Sequence, residues 1–234
     1  MKAMIFAAGI GSRLKELTRD TPKCLMQVGG VTMLEHVIEK LKQVGVREVA
    51  INVHHHAAQV IRFVEERHRF GISVTFSPEE DLIDTGGGLK KARALFQGET
   101  AFIVHNSDVY CTADLGALTM QHAATSAIAT LAVMRRDSTR GLFFDHDMRL
   151  VGWTEEKAPP PPQARLLAFG GMSVCSSELF QFMDARPKFS LIETFLAAAR
   201  ATNRVYGSTI DADSWVDIGT PERLEELQRR LQQK

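Results

Sequence analysis

Two rhythms of apolar and polar positions alternate along this chain. Apolar-rich runs at 3–8 and Ala101–His105 predict buried strands, and Glu48–Val53 and Ile72–Phe76 predict two more strands. Between them, apolar residues return at helical spacing. Met33, Leu34, Val37, Ile38, Leu41 and Val44 form one such stripe, which Gly45 ends. A second covers Ala57–Arg69 and stops at Gly71, and a third covers Leu89–Phe96. Leu115–Ala124 then predicts a helix and Ala127–Met134 a fifth strand. Strands alternating with helices indicate a parallel sheet covered on both faces.

After Arg135 the rhythm changes. Leu142–Phe144, Leu150–Trp153 and Leu166–Val174 read as strands joined by turns, and prolines 159–162 as an extended exposed loop between two of them. Ser190-Leu191-Ile192-Glu193 is a capping box opening a helix to Arg200. Thr220 and Pro221 cap and start a last helix to about Leu231, with Leu224, Leu227 and Leu231 as its apolar stripe. The expected fold is α/β, a mixed, mostly parallel Rossmann-like sheet flanked by helices, with a small β-rich part after about residue 136. A single domain spanning 1–234 is expected.

Composition narrows the partners. Hydrophobic residues make up 44% of the 234, enough for a sizeable core. Lys plus Arg and Asp plus Glu both number 28, so no bulk charge favours nucleic acid or a membrane surface. Cys24, Cys111 and Cys175 have no ligand spacing and fit a reducing compartment, with Cys24 read as a buried structural thiol. The apolar start is too short for a signal or spanning segment, and a cytoplasmic protein is expected. His54, His55 and His56 read as a solvated loop or helix start, since adjacent imidazoles in regular structure cannot all reach one metal.

The chemistry concentrates between Ala7 and Leu25. An apolar run breaks into Gly9 and Gly11, and a glycine loop after a buried strand can turn backbone N–H groups towards an anion. Without a Cβ, both positions can take positive φ and admit phosphate closely. Arg13 brings a planar fork for phosphate oxygens and Lys23 a point charge for one developing oxyanion. A dinucleotide fingerprint would need a third glycine where Leu14 stands, which disfavours a nicotinamide oxidoreductase. The Gly-Lys-Ser/Thr of a Walker loop is absent.

The string Gly-x-Gly-x-Arg-Leu followed by Thr-Pro-Lys resembles the opening signature of the sugar-1-phosphate nucleotidyltransferases, which usually carry Pro where Glu16 stands. Further matches follow along the chain. Asn106-Ser107-Asp108 resembles the family's Asn-Gly-Asp, and Trp215-Val216-Asp217-Ile218-Gly219-Thr220-Pro221 its second metal-binding motif. Asp84-Thr85-Gly86-Gly87-Gly88 is similar to the wording of N-acetylmuramate-1-phosphate uridylyltransferases. Glu79 stands where the family often places Gln to read the base. Glu156-Lys157 and Phe169-Gly170-Gly171-Met172 resemble sugar-gripping segments of relatives.

The resemblance implies transfer of a nucleotidyl group from a nucleoside triphosphate to a sugar 1-phosphate, releasing pyrophosphate. Residues 1–135 would form the nucleotide-binding half and 136–234 the sugar-binding half. Arg13 and Lys23 would be catalytic. Ala7, Ala8, Gly9, Gly11, Ser12, Glu79, Thr85 and Gly86 would bind nucleotide. Asn106, Glu156, Lys157, Gly170 and Gly171 would bind sugar, and Asp108 and Asp217 would hold Mg²⁺. The resemblance favours UTP with N-acetylmuramate 1-phosphate. Glu79 points instead to GTP with mannose or heptose 1-phosphate, since guanine offers an N–H and an NH₂ on one edge. A non-catalytic nucleotide-binding homologue should have lost the lysine or the carboxylates, and all are present. No nucleic-acid or membrane partner is expected, and the chain is expected to be a monomer or homodimer.

Overall fold

A computed structural model describes residues 1–136, 140–156, 159–160 and 162–232. They form two compact units interleaved in sequence: Met1–Leu82, His105–Thr112 and Trp215–Lys234 in the first, Ile83–Val104 and Ala113–Ser214 in the second. The first opens with β1 (Lys2–Phe6), β2 (Gln27–Val28), β3 (Val31–Thr32), α1 (Met33–Gln43), β4 (Glu48–Val53), α2 (Ala57–Glu66) and β5 (Ser73–Pro78). The chain then enters the second unit with α3 (Asp84–Lys91), α4 (Arg93–Phe96) and β6 (Phe102–Asn106). The last residues of β6 belong to the first unit, as does β7 (Val109–Cys111). The second resumes with α5 (Leu115–Ala124), β8 (Ala129–Met134), β9 (Leu142–Phe144), β10 (Leu150–Trp153), β11 (Arg165–Cys175), α6 (Leu191–Thr202) and β12 (Val205–Thr209). β13 (Trp215–Asp217) and α7 (Pro221–Gln232) complete the first.

In the first unit, β1 pairs parallel with β4 and β4 with β5, Ile5 opposite Ile51 and Ile51 opposite Phe76. β1 and β4 are mostly buried, which explains their apolar character, whereas in β5 the exposed Ser73 and Thr75 flank the buried Val74. β1 ends at Phe6, so Ala7 and Ala8 belong to the loop and not to the expected strand. Thr32 caps α1 by accepting from Glu35 N at 3.2 Å, and Met33, Leu34, Val37, Ile38 and Leu41 form its buried face. α2 stops at Glu66, short of the expected Arg69, because His68, Arg69 and Phe70 take left-handed φ of 50–54°. Val28, Met33, Val216, Ile218, Leu224 and Leu227 form one cluster, which seats α7 against β2, α1 and β13. The pairs β2–β3 and β7–β13 were not expected, since strands of two or three residues show no period.

In the second unit, β8 pairs antiparallel with β11 and parallel with β12, and β9 pairs antiparallel with both β11 and β10. The capping box forms as expected, Ser190 accepting from Ile192 N at 3.3 Å and Glu193 from Ser190 N at 2.9 Å. The class is the expected α/β, a mixed sheet flanked by helices. Among the described residues no helix is long and apolar enough to cross a membrane.

The glycine triplet departs from expectation: it lies inside α3 and not ahead of it. A Cβ on Gly86 would sit 2.3 Å from the Phe189 ring and 2.8 Å from Phe189 O, and one on Gly87 would sit 2.3 Å from Pro187 O. Gly86→Ala gains about 1 kcal/mol of helix propensity. The overlap with backbone outweighs this, at about 1–3 kcal/mol. The variant is therefore expected to unfold at lower urea than wild type, and an unchanged midpoint would show that the 187–189 segment yields freely.

His105 and His122 are buried, and burial pushes each imidazole down to about 4; Arg204 adds to the effect on His122, and Lys40 opposes charge on His105. The unfolded chain takes up these protons near 6.5 and the folded chain refuses them until about 4. Stability is therefore expected to fall as pH drops through that window, because the unfolded state binds more protons there. Urea titrations at several pH values test this, and His122→Gln should flatten the slope.

Candidate active site

The strand ends of the first unit are tied together by side chains. Asn52, at the end of β4, accepts from Ala7 N at 2.8 Å and donates to Glu79 Oε1 at 2.7 Å. Asn52 and Glu79 are both buried, and Glu79 N donates to Val53 O at 2.8 Å. The loop after β1 is thus held to β4 and to the residue just past β5. His54 also serves here, its Nδ1 lying 2.9 Å from Glu79 O, and His56 Nε2 lies 3.0 Å from Arg19 O. These imidazoles pin loops together.

Gly11 has φ +70°, and a Cβ there would meet Thr18 Cγ2 at 2.8 Å. Thr18 donates to Gly11 O at 3.1 Å and Leu14 N to the same oxygen at 2.8 Å, closing the turn that Ser12 opens. Gly9 differs from expectation. Its φ is not positive and nothing lies within 4 Å of a Cβ built on it, so the fold itself makes no demand for glycine there. Leu14 is buried and anchors the turn, while its neighbour Arg13 stays exposed.

Three links bring the charged residues together within this unit. Ser107 N donates to Phe6 O at 3.0 Å, joining the Asn106-Ser107-Asp108 segment to the end of β1. Asp108 is ion-paired with Lys23, whose side chain is 11% exposed against 28% for the carboxylate. Ile218 N donates to Asp108 O at 3.0 Å, extending a ribbon in which Asp217 stands opposite Val109. The two aspartate segments therefore run side by side. An antiparallel ribbon of two short strands achieves this.

Asp217 is the most constrained member. Its Oδ1 accepts from Gly219 N at 2.9 Å and its Oδ2 pairs with Arg223, in the first turn of α7. A Cβ on Gly219 would lie 2.4 Å from Asp217 Oδ1 and 3.2 Å from Arg13 Nη2, so the Arg13 guanidinium and the carboxylate flank one small space. Gly219 lies in the motif at 215–221 and Arg223 two residues beyond it, but the sequence did not disclose their contacts. Cys24 adds no nucleophile: burial above all, with Asp108 adding, pushes its thiol up to about 12. The free thiols of Cys24, Cys111 and Cys175 are all buried.

The second unit holds the remaining sequence candidates. Thr85 Oγ1 accepts from Leu191 N at 3.0 Å, and Gly86 N donates to Phe189 O at 3.0 Å. Glu156 accepts from Trp153 N at 3.2 Å through Oε2 and pairs with Arg200 through Oε1. Lys157 lies outside the described residues. Gly170 and Gly171 sit in the irregularity of β11 between Phe169 and Ser173, with φ +73° at Gly171.

Asp108 and Asp217 offer hard oxygen donors, partly exposed and on adjoining segments, which suits a magnesium ion with phosphate oxygens. Among the described residues, the one group of three or more such side chains clustered closely enough for a metal is Asp145, His146 and Asp147, in an exposed turn of the second unit.

A family model described as nucleotidyl transferase matches residues 2–234. This chain belongs to that family. It is 26% identical over 234 residues to the D-glycero-alpha-D-manno-heptose 1-phosphate guanylyltransferase of Aneurinibacillus thermoaerophilus, covering 99% of each chain. It is 30% identical over 227 residues to the mannose-1-phosphate guanyltransferase of Candida albicans, covering 94% of this chain and 62% of that longer one. In fold it is similar to a Bacillus anthracis chain solved in complex with a sucrose, with a TM-score of 0.85 at 21% identity, covering 100% of this chain and 96% of that one. HddC from Yersinia pseudotuberculosis, complexed with GMP-PN, gives 0.74 at 22% identity, covering 98% of each chain. The family member described here is an enzyme of the sugar-1-phosphate nucleotidyltransferase class.

Proposed function

We propose that this enzyme joins GTP and a heptose or mannose 1-phosphate, giving a nucleotide sugar and pyrophosphate. The observation that carries the reaction is the cluster of Arg13, Lys23, Asp108 and Asp217 around the Gly11 turn. The sugar phosphate oxygen forms a bond to the α-phosphorus while the bond to the departing pyrophosphate breaks. No protein nucleophile is needed, and catalysis rests on positioning and charge. Lys23 faces the α-phosphate and Arg13 the pyrophosphate, with backbone N–H groups from Ala8 to Ser12 along the phosphates, while the Ala7 N–H is taken by Asn52. Asp108 and Asp217 would hold a magnesium ion, which when bound neutralises phosphate charge. Asn106, Glu156, Lys157, Gly170 and Gly171 are assigned to the sugar and Thr85 and Gly86 to the nucleotide. For Glu156, whose oxygens already serve a turn and Arg200, this requires exchanging a partner.

Two observations favour guanine. The two relatives compared by sequence are named for guanylyl transfer, whereas the Bacillus anthracis structure is named for thymidylyl transfer. Glu79 is a buried carboxylate whose Oε1 accepts from Asn52, and meeting the two donors on guanine's edge requires it to exchange a partner. The uridylyl reading leaned on the glycine triplet, and the packing of Gly86 and Gly87 against 187–189 gives those glycines an internal cause. The test is pyrophosphate release with each nucleoside triphosphate against mannose, heptose and N-acetylmuramate 1-phosphates, with Mg²⁺. GTP with one of the first two sugars should give the highest kcat/KM. Preference for UTP with N-acetylmuramate 1-phosphate would restore the other reading, and no release with any pair would overturn both.

A further inference from the structure

Each carboxylate of the proposed metal site already has a cation of its own. Lys23 pairs with Asp108 and Arg223 with Asp217. Arg13 flanks Asp217 across the space at Gly219. Three basic side chains against two carboxylates give the cluster a positive formal charge, which suits an arriving polyanion better than a bare dication.

Arg223 is the member whose place helix stability does not explain. It lies in the first turn of α7, where the helix dipole disfavours a cation and favours an anion. Glu222 in the same turn has the favoured sign. Asp217, just ahead of the helix, has it too, and its Oδ1 is held by Gly219 N independently of Arg223. The arginine is thus not needed to aim the carboxylate, and it covers the second oxygen, Oδ2.

We propose that Arg223 is a positioning residue that occupies Asp217 until nucleotide arrives. It makes divalent-metal binding depend on the triphosphate, whose oxygens supply the missing ligands and whose charge reverses the sign of the cluster. This rests on the reading of Asp108 and Asp217 as metal ligands. It adds that the chain by itself suppresses their affinity for metal through a specific ion pair.

The test counts bound Mn²⁺ by electron paramagnetic resonance, using the whole chain with and without a non-hydrolysable GTP analogue. Wild type should bind Mn²⁺ weakly alone and well with the analogue. Arg223→Gln should bind Mn²⁺ ~10-fold more tightly without nucleotide, the scale of removing one neighbouring charge from a partly exposed site. With the analogue the difference should shrink, because the triphosphate then dominates the local charge. Arg223→Lys should behave as wild type, since it restores the charge. Should Arg223→Gln melt before the measurement, Arg223→Met, which keeps the apolar stem, takes its place with the same expectation. Equal Mn²⁺ affinity of wild type and the neutral variants without nucleotide would overturn the proposal. Asp217→Asn separates the two levels: if it leaves Mn²⁺ binding with the analogue intact, the metal-site reading itself fails. If it abolishes that binding while Arg223→Gln changes nothing, only the role of Arg223 fails.

Discussion

Lys23→Ala is expected to lower kcat for pyrophosphate release by ~10²-fold or more, the scale of losing one donor aimed at a developing oxyanion. The lysine is nearly buried, beside the fully buried Cys24, and its ammonium pairs with Asp108. A charge in that setting is weakly screened, which is why its loss should weigh on the transition state more than on binding. The fold should survive. Asp108 keeps 28% of its side-chain surface and can take water in place of the ammonium, so the stability cost should be about 1 kcal/mol. Thermal melts alongside steady-state kinetics separate the two effects. Full turnover in Lys23→Ala would remove the central mechanistic claim, whereas a collapse in melting temperature would show that the ion pair is structural.

Asp108→Asn and Asp217→Asn are each expected to bring turnover close to background, and the double variant to lose little more, because two ligands of one ion act as a unit. Their stabilities should differ. Asn at 217 can retain the oxygen that accepts from Gly219 N and loses the charge facing Arg223 and Arg13, so that variant should melt within a few degrees of wild type. Asn at 108 leaves Lys23 without its anion in a nearly buried place and should be the less stable of the two. If both aspartates were merely turn caps, each variant would keep its turnover and lose about 1 kcal/mol of stability. Near-normal pyrophosphate release in either single variant at saturating Mg²⁺ would therefore dismiss the two-carboxylate site.

Much of this molecule is written in local pattern. The period of α1, the apolar character of β1 and β4, the Ser190–Glu193 capping box and the turn at Gly11 all depend on residues a few positions apart, and each stands close to where the sequence places it, β1 stopping short at Phe6. The charged residues of the candidate site were legible for a similar reason, since Arg13, Lys23, Asp108 and Asp217 sit at the ends of such patterns. Only the tertiary structure decided who meets whom. Asn52 joins Ala7 to Glu79, Gly86 packs on Phe189, and the Asp108 and Asp217 segments meet through a ribbon of two three-residue strands. A strand that short has no period to detect, and a glycine required by a distant ring looks in sequence like a glycine required by a ligand. Arg223 is the clearest case. In sequence it is one more charge on an amphipathic helix. Its partner is settled only by the apolar seat of α7, where Leu224 and Leu227 pack with Val216 and Ile218 and so turn the first turn of the helix towards Asp217.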